Sequence, residues 1–273
     1  VQTSYVMLVL TAETVLVVVN AFMRETTVEG FCLTPSVKLL LCNDGLSRLF
    51  GGLVAFVWLA VGFYSFHYLK ETRKQEMFYG FYLIALGVLQ GIGLAGNLVT
   101  FYLFYEWMTL MTVPFVFYNR TKESIRASRK YLFYSVAGAS FALAGIFLLA
   151  GNTEGLQFAG GALNEAANRT EVLLAAVLLL IGFGTKAGMF PMHGWLPTAH
   201  PVAPAPASAV LSGVITKAGV LGIIRSLYYV IGMDYLAGTY VQTVFLSLAL
   251  ITVFMGSMLA YKEKILKKRL AYS

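Results

Sequence analysis

Residues 178–210 read LLLIGFGTKAGMFPMHGWLPTAHPVAPAPASAV, and this stretch decides how the chain is built. It opens as the end of an apolar helix, yet Lys186 stands inside it among Gly182, Gly184 and Gly188. Pro191 then removes a backbone donor and clashes with the preceding turn, so the helix is predicted to break there. Five of the seven prolines (Pro191, Pro197, Pro201, Pro204 and Pro206) fall within sixteen residues. Irregular backbone at membrane depth survives only where protein or a water-filled cavity satisfies it, and an ion pathway is a natural occupant of such a place.

The rest of the chain supplies the membrane setting. Of its 273 residues 58% are hydrophobic and 12% charged, with a mean hydropathy of +0.74, against roughly a quarter charged in an ordinary soluble protein. That balance excludes a disordered chain, a disulfide-stapled secreted module and a cytosolic enzyme, and it fits spans of about 20 apolar residues. Eight such stretches lie near 3–22, 45–67, 78–95, 98–118, 131–150, 172–190, 205–231 and 240–261. The fold class is therefore an all-α, polytopic transmembrane bundle of about eight helices, with residues 1–273 as a single integral membrane domain. The first stretch lacks the basic n-region and cleavage site of a signal peptide and carries Glu13, so it is read as a retained span.

Charge placement sets the topology. Twenty Lys+Arg against thirteen Asp+Glu give a formal +7, but thirteen of those twenty cations follow helices two, four and eight. They are Lys70, Arg73 and Lys74; Arg120, Lys122, Arg126, Arg129 and Lys130; and Lys262, Lys264, Lys267, Lys268 and Arg269. The opposite face holds Arg24, Lys38, Arg48 and Arg169 with the acids Glu25, Glu29, Glu154, Glu165, Glu171 and Asp234. By the positive-inside rule the basic loops are cytoplasmic, and the excess charge is topological, with no nucleic acid as partner. A multi-pass protein of the cell's inner membrane is expected.

Lys186, Lys217, Arg225, Glu13 and Glu106 remain inside the spans, where a central charge costs at least about 2.5–3.5 kcal/mol. Glu106 lies midway along NLVTFYLFYEWMTLMTVPFVF with Tyr102, Leu103, Thr109 and Leu110 on its face, so its carboxylate must look to another helix. Either it is a protonated acid bonding two helices, or it is a proton-titrating site. Lys217 is about a dozen residues into the seventh span, too deep for easy snorkelling, and Arg225 lies roughly 12 Å further along, where it reaches toward an interface. His193 and His200 flank the break as proton relays or as capping and interfacial groups; with no nearby Cys, Asp or third His, no metal site is expected. Cys32 and Cys42 read as two buried thiols more readily than as a bridge.

One carboxylate and two ammonium groups on neighbouring helices are expected to couple. Burial favours a neutral amine and a nearby carboxylate favours the charged one. A unit charge at about 4 Å is worth about 4 kcal/mol at an effective dielectric of about 20, equivalent to roughly three pKa units. Moving or neutralising one partner would then release the other's proton, which is pumping chemistry that needs neither nucleophile nor cofactor.

The segments NDGLSRLF (43–50), YSFHY (64–68), NLVTFYLFYEW (97–107), GTKAGMFPMHGWLPTAHPVAPAPASA (184–209), SGVITKAGVLGIIR (212–225) and KKRLAYS (267–273) together resemble the antiporter-like subunits shared by respiratory complex I, Mrp-type Na+/H+ antiporters and membrane-bound hydrogenases. The resemblance implies two inverted five-helix repeats, each with a discontinuous helix; the first repeat would occupy about 78–231, with the start of a second after it. It implies that Glu106 pairs with Lys186, that Lys217 is the next lysine along a central polar axis, and that His193 and His200 are the family's histidines. Where many members have Trp before the acid, this chain has Tyr105 and carries Trp107 after it. Members usually have about fourteen helices, so a fragment or a split subunit completed by another polypeptide is expected.

The resulting expectation is a proton-translocating, or Na+/H+, membrane subunit of a redox-driven complex. This chain would bind no cofactor and perform no redox catalysis. Iron–sulfur clusters, flavin or nickel–iron would sit in peripheral partner subunits, beside other membrane subunits in the lipid bilayer. The alternatives are a subunit of a Mrp-type secondary antiporter without redox chemistry, and a scaffold whose buried charges merely lock helices.

Overall fold

A computed structural model describes residues 2–34, 37–72, 74–153, 155–158 and 163–273; Arg73 and Glu154, counted above for their charge, lie outside them. Eight spans among the described residues are long and apolar enough to cross a membrane. The first five are α1 (Gln2–Phe22), α2 (Gly45–Tyr68), α3 (Gln75–Gly93), α4 (Leu98–Phe117) and α5 (Lys122–Ala150). The sixth is interrupted: α6 (Arg169–Ala187) gives way to a 3-10 turn (Met192–Trp195) and then α7 (Leu196–Val202). The seventh runs from α8 (Ala205–Val210) through a π-helical stretch (Leu211–Ile215) and α9 (Thr216–Ile224) into a second one (Arg225–Ile231). After α10 (Met233–Leu236), α11 (Tyr240–Lys262) is the eighth span and α12 (Leu266–Tyr272) folds back against α7.

Four spans start at polar caps that the apolar pattern does not reveal. Asp44, Asn97, Thr121 and Asn168 each accept a bond from a first-turn amide of α2, α4, α5 and α6 respectively. The Thr121 cap explains why α5 begins nine residues before the apolar stretch at 131–150. Lys122, Arg126, Arg129 and Lys130 are thus on a helix and not in a loop, because lysine and arginine are good helix formers wherever water is available.

Close packing of α5 on α6 depends on small residues. A methyl placed on Gly182 would lie 2.6 Å from the Ala142 nitrogen, and one on Gly138 2.9 Å from the Gly182 carbonyl. The backbones meet there, as glycine allows in membrane bundles.

The loop between α1 and α2 holds an antiparallel hairpin of β1 (Thr27–Thr34) and β2 (Val37–Cys42), an addition to the helical bundle that the sequence reading did not foresee. It is stitched to the α3–α4 corner by Cys42 N to Leu94 O (2.6 Å) and Gly96 N to Leu40 O (2.8 Å). Cys32 and Cys42 are both free, but they are not two buried thiols: Cys32 is exposed on the hairpin and Cys42 only partly covered. The reason is their place outside the bundle, which the sequence could not fix.

Contacts separate the two ends of the bundle. At one end Lys74 Nζ reaches Tyr118 O (3.4 Å), Asn119 Nδ2 reaches Val202 O (2.8 Å) and Lys267 Nζ reaches Ala203 O (2.9 Å), so the basic segments meet. At the other the hairpin, the α3–α4 corner and the start of α6 gather.

Candidate functional site

Lys186 is 1% exposed on the last turn of α6. The turn stops there because Gly188 takes a left-handed cap, φ 85°, a conformation that disfavours any side chain, and returns its N–H to the carbonyls of Gly184 and Thr185. Trp195, beyond the break, donates its indole N–H to Thr185 O at 2.9 Å, so a helix end that would otherwise carry orphan carbonyls is closed by the next segment.

The Lys186 ammonium has three donors and three acceptors: Thr109 Oγ1 on α4 at 3.0 Å, Tyr131 Oη at 2.9 Å and Ser135 Oγ at 2.9 Å, both on α5. It also lies 4.5 Å from the centroid of the Tyr131 ring, which packs on Trp195. Tyr131 Oη continues to Thr112 Oγ1 at 2.7 Å, making a run of exchangeable hydrogens from Lys186 along α4. No carboxylate is within ion-pair distance of Lys186 among the described residues.

Glu106 does not pair directly with Lys186, contrary to what the resemblance implies. Tyr105 holds the face toward α6, edge-on to Phe183 at 5.2 Å, and the neighbouring carboxyl is turned about 100° round the helix. Glu106 is half-buried with Oε1 lacking any hydrogen-bond partner. Thr109, one turn on, accepts from Lys186 and donates to Tyr105 O at 3.3 Å.

Lys217 is exposed, not deep: its Nζ turns back along its own helix to Ser212 O at 2.7 Å, inside the first π-helical stretch. It projects into a cavity of about 190 Å³ whose walls include Gly188, His193, Thr216, Thr252 and Tyr272, so the gap opened by the helix break separates it from Lys186. His193 stacks on Phe190 at 5.5 Å and leaves Nδ1 without a partner. His200 is elsewhere, buried between α7 and α8 with Nδ1 2.8 Å from Ser208 Oγ and Nε2 unpartnered. The five sequence-derived residues therefore form one cluster (Glu106, Lys186), a cavity (Lys217, His193) and an outlier (His200).

Two of the three Lys186 ligands, Tyr131 and Ser135 at i, i+4, are not singled out by the sequence; with Thr109 and Thr112 on the facing helix they form a hydroxyl stripe legible only as spacing. Arg225 was thought to reach an interface; it is 1% exposed and forks onto Asp44, Nη1 to Oδ2 at 2.5 Å and Nη2 to Oδ1 at 2.8 Å, between the rings of Phe158 and Tyr229. Burial alone would raise the Asp44 carboxyl, but the bonds from Arg225 and Ser47 outweigh it and hold the group down to about 2. Glu13 accepts a hydrogen bond from Gln90 Nε2.

The family model described as "NADH:quinone oxidoreductase/Mrp antiporter, TM" matches residues 95–273. The chain belongs to this family. Among curated members it is 31% identical over 243 residues to hydrogenase-4 component B of Escherichia coli (86% of this chain, 35% of the relative). It is 34% identical over 237 residues to NADH-quinone oxidoreductase subunit N of Desulforudis audaxviator (84% and 46%) and to the Na(+)/H(+) antiporter subunit A1 of Staphylococcus aureus (84% and 28%). The chain thus matches less than half the length of each of these relatives. In fold it resembles a chain of the archaeal membrane-bound sulfane sulfur reductase (TM-score 0.85, 23% identity, 99% of this chain, 56% of that one). It also resembles a chain of the Mrp complex from Dietzia sp. DQ12-45-1b (TM-score 0.81, 23% identity, 98% and 51%). As in its family, the chain is a multi-pass membrane protein, and its helix break and buried lysine fall within the matched region.

Proposed function

We propose that this chain moves protons through a membrane as part of a multisubunit, redox-driven complex. The observation that carries the reading is Lys186: a buried ammonium at a helix break, held by three neutral hydroxyls with no carboxylate in contact. A pure structural lock would favour a paired charge, because an unpaired buried one is costly. Hydroxyl partners instead accept a bond from the ammonium and can donate one to the neutral amine, so both protonation states of Lys186 are accommodated. Glu106, half-buried on the same helix as Thr109, would bias that balance, and the Tyr131–Thr112 run would relay the proton.

Lys217 and His193 would take the proton on across the cavity beyond the break, with His200 as a more distant relay. Moving one charge through 100 mV takes about 2.3 kcal/mol. The energy would come from iron–sulfur, flavin or nickel–iron chemistry in peripheral partners, with the basic segments on the cytoplasmic side of the inner membrane. The repeat at about 78–231 would be the conducting unit.

Similarity to the Na(+)/H(+) antiporter subunit A1 at 34% identity supports a second reading, a secondary antiporter without electron transfer, with Na+ as a coupling ion. The complex purified around this chain separates the two: iron–sulfur absorbance supports the redox reading, and a colourless complex that exchanges Na+ for H+ supports the other. Proton uptake by vesicles containing the complex tests both against a scaffold. Glu106→Gln should abolish uptake while assembly survives; unchanged uptake would remove Glu106 from the pathway.

A further inference from the structure

We infer that the outward face of α5 is a binding site for an anionic phospholipid. Lys122, Arg126 and Arg129 are exposed at i, i+4 and i+7, and with Ile125 they line a hollow of about 300 Å³. The same stripe continues through Phe133 (72% exposed), Val136 (47%) and Phe147 (70%). Charged side chains therefore stand directly above an exposed apolar stripe on one helix face.

The lengths match a lipid leaflet. At about 1.5 Å per residue, residues 131–150 extend about 30 Å, the thickness of the hydrocarbon, and the nine residues before them add about 13 Å. The three cations are thereby placed at headgroup level and the aromatic stripe at acyl-chain level.

The charges of these three cations, unlike that of Glu123 in the first turn, do not support the helix that carries them. Neighbours of like charge at i, i+3 and i+4 repel, and cations in the first turns oppose the helix dipole. Among the described residues none of the three makes an ion pair or side-chain hydrogen bond. A phosphate diester between them would relieve both penalties, and the acyl chains below would cover Phe133 and Val136. Neutral lipid lacks the net charge that this cluster complements. The opposite face of α5 carries Tyr131 and Ser135, so a lipid seated here would hold the helix that cradles Lys186.

The test uses the purified complex carrying this chain, titrated with short-chain phosphatidylglycerol or phosphatidylcholine and read by native mass spectrometry. The intact complex should bind phosphatidylglycerol at least about tenfold more tightly, at about fivefold per cation. Lys122→Gln/Arg126→Gln/Arg129→Gln should lose that preference, whereas Lys262→Gln/Lys264→Gln/Lys268→Gln, with equal loss of charge at the same membrane end, should keep it. Arg126→Gln alone, expected to weaken binding about fivefold, serves if the triple variant does not assemble. Three results would overturn the inference: preference retained by the first variant, inorganic phosphate competing as well as the lipid does, or loss of a partner subunit with lipid preference unchanged.

Discussion

Lys186 Nζ donates to Tyr131 Oη at 2.9 Å, and Tyr131 in turn shares a 2.7 Å hydrogen bond with Thr112. The buried ammonium thus rests on a phenol that also leads away from it, so under the proposed function support and conduction would use the same atom.

Tyr131→Phe should separate these roles. The ring still packs on Trp195, but Lys186 loses one of three acceptors and the hydroxyl run is cut. Hydrogen bonds to charged groups are worth about 1.5–3 kcal/mol, so thermal stability should fall modestly. Proton uptake in vesicles should fall tenfold or more; wild-type uptake would place the pathway elsewhere.

Gly182→Ala should force α5 and α6 apart, because the methyl would meet the Ala142 backbone at 2.6 Å. Overpacking of this kind costs about 1–3 kcal/mol. Gly80→Ala on α3, with open space around it, should instead be neutral or stabilising by up to about 1 kcal/mol. Melting temperatures of the two variants check the contrast.

The Asp44–Arg225 pair predicts an acid dependence. Asp44 is held at about 2 against an ordinary 3.8, so a folded carboxyl depressed below its unfolded value contributes stability above pH about 4 and loses it as pH falls through about 2. The shift corresponds to about 2 kcal/mol. Asp44→Asn should be destabilised by about 3–5 kcal/mol at neutral pH, since Arg225 is left buried and unpaired. The gap between wild type and variant should narrow by about 2 kcal/mol as pH falls from about 4 to about 2; a gap unchanged with pH would contradict the assignment.

Lys217→Met separates a transporter from a scaffold. The side chain stabilises little, being exposed and bonded only to Ser212 O, so the fold should be unaffected. Ion flux should be severely reduced if Lys217 takes the proton across the cavity, and intact if buried charges only lock helices.

The spans and the break were legible because long uncharged runs and clustered prolines have few other meanings. Ion-pair geometry was not. Lys186 and Lys217 look alike in sequence, yet one is sealed by a glycine-packed interface and the other escapes through a π-helical turn. Asp44 and Arg225 are 181 residues apart, and nothing local marks them as partners. The Lys186 hydroxyls went unnoticed because serine and tyrosine at i, i+4 are ordinary on any helix, and become ligands only when a lysine from a neighbouring helix points at them. The hairpin was hidden in a connection whose apolar runs are too short to span a membrane and show no clean strand alternation.

The most direct test of Lys186 as a proton carrier is proton uptake by the reconstituted complex with Lys186→Arg. Arginine preserves the positive charge but holds its proton throughout the accessible pH range. The account predicts an assembled complex with uptake abolished, as in Lys186→Met. Uptake restored by arginine but absent in the methionine variant would mean that the position supplies only a fixed charge.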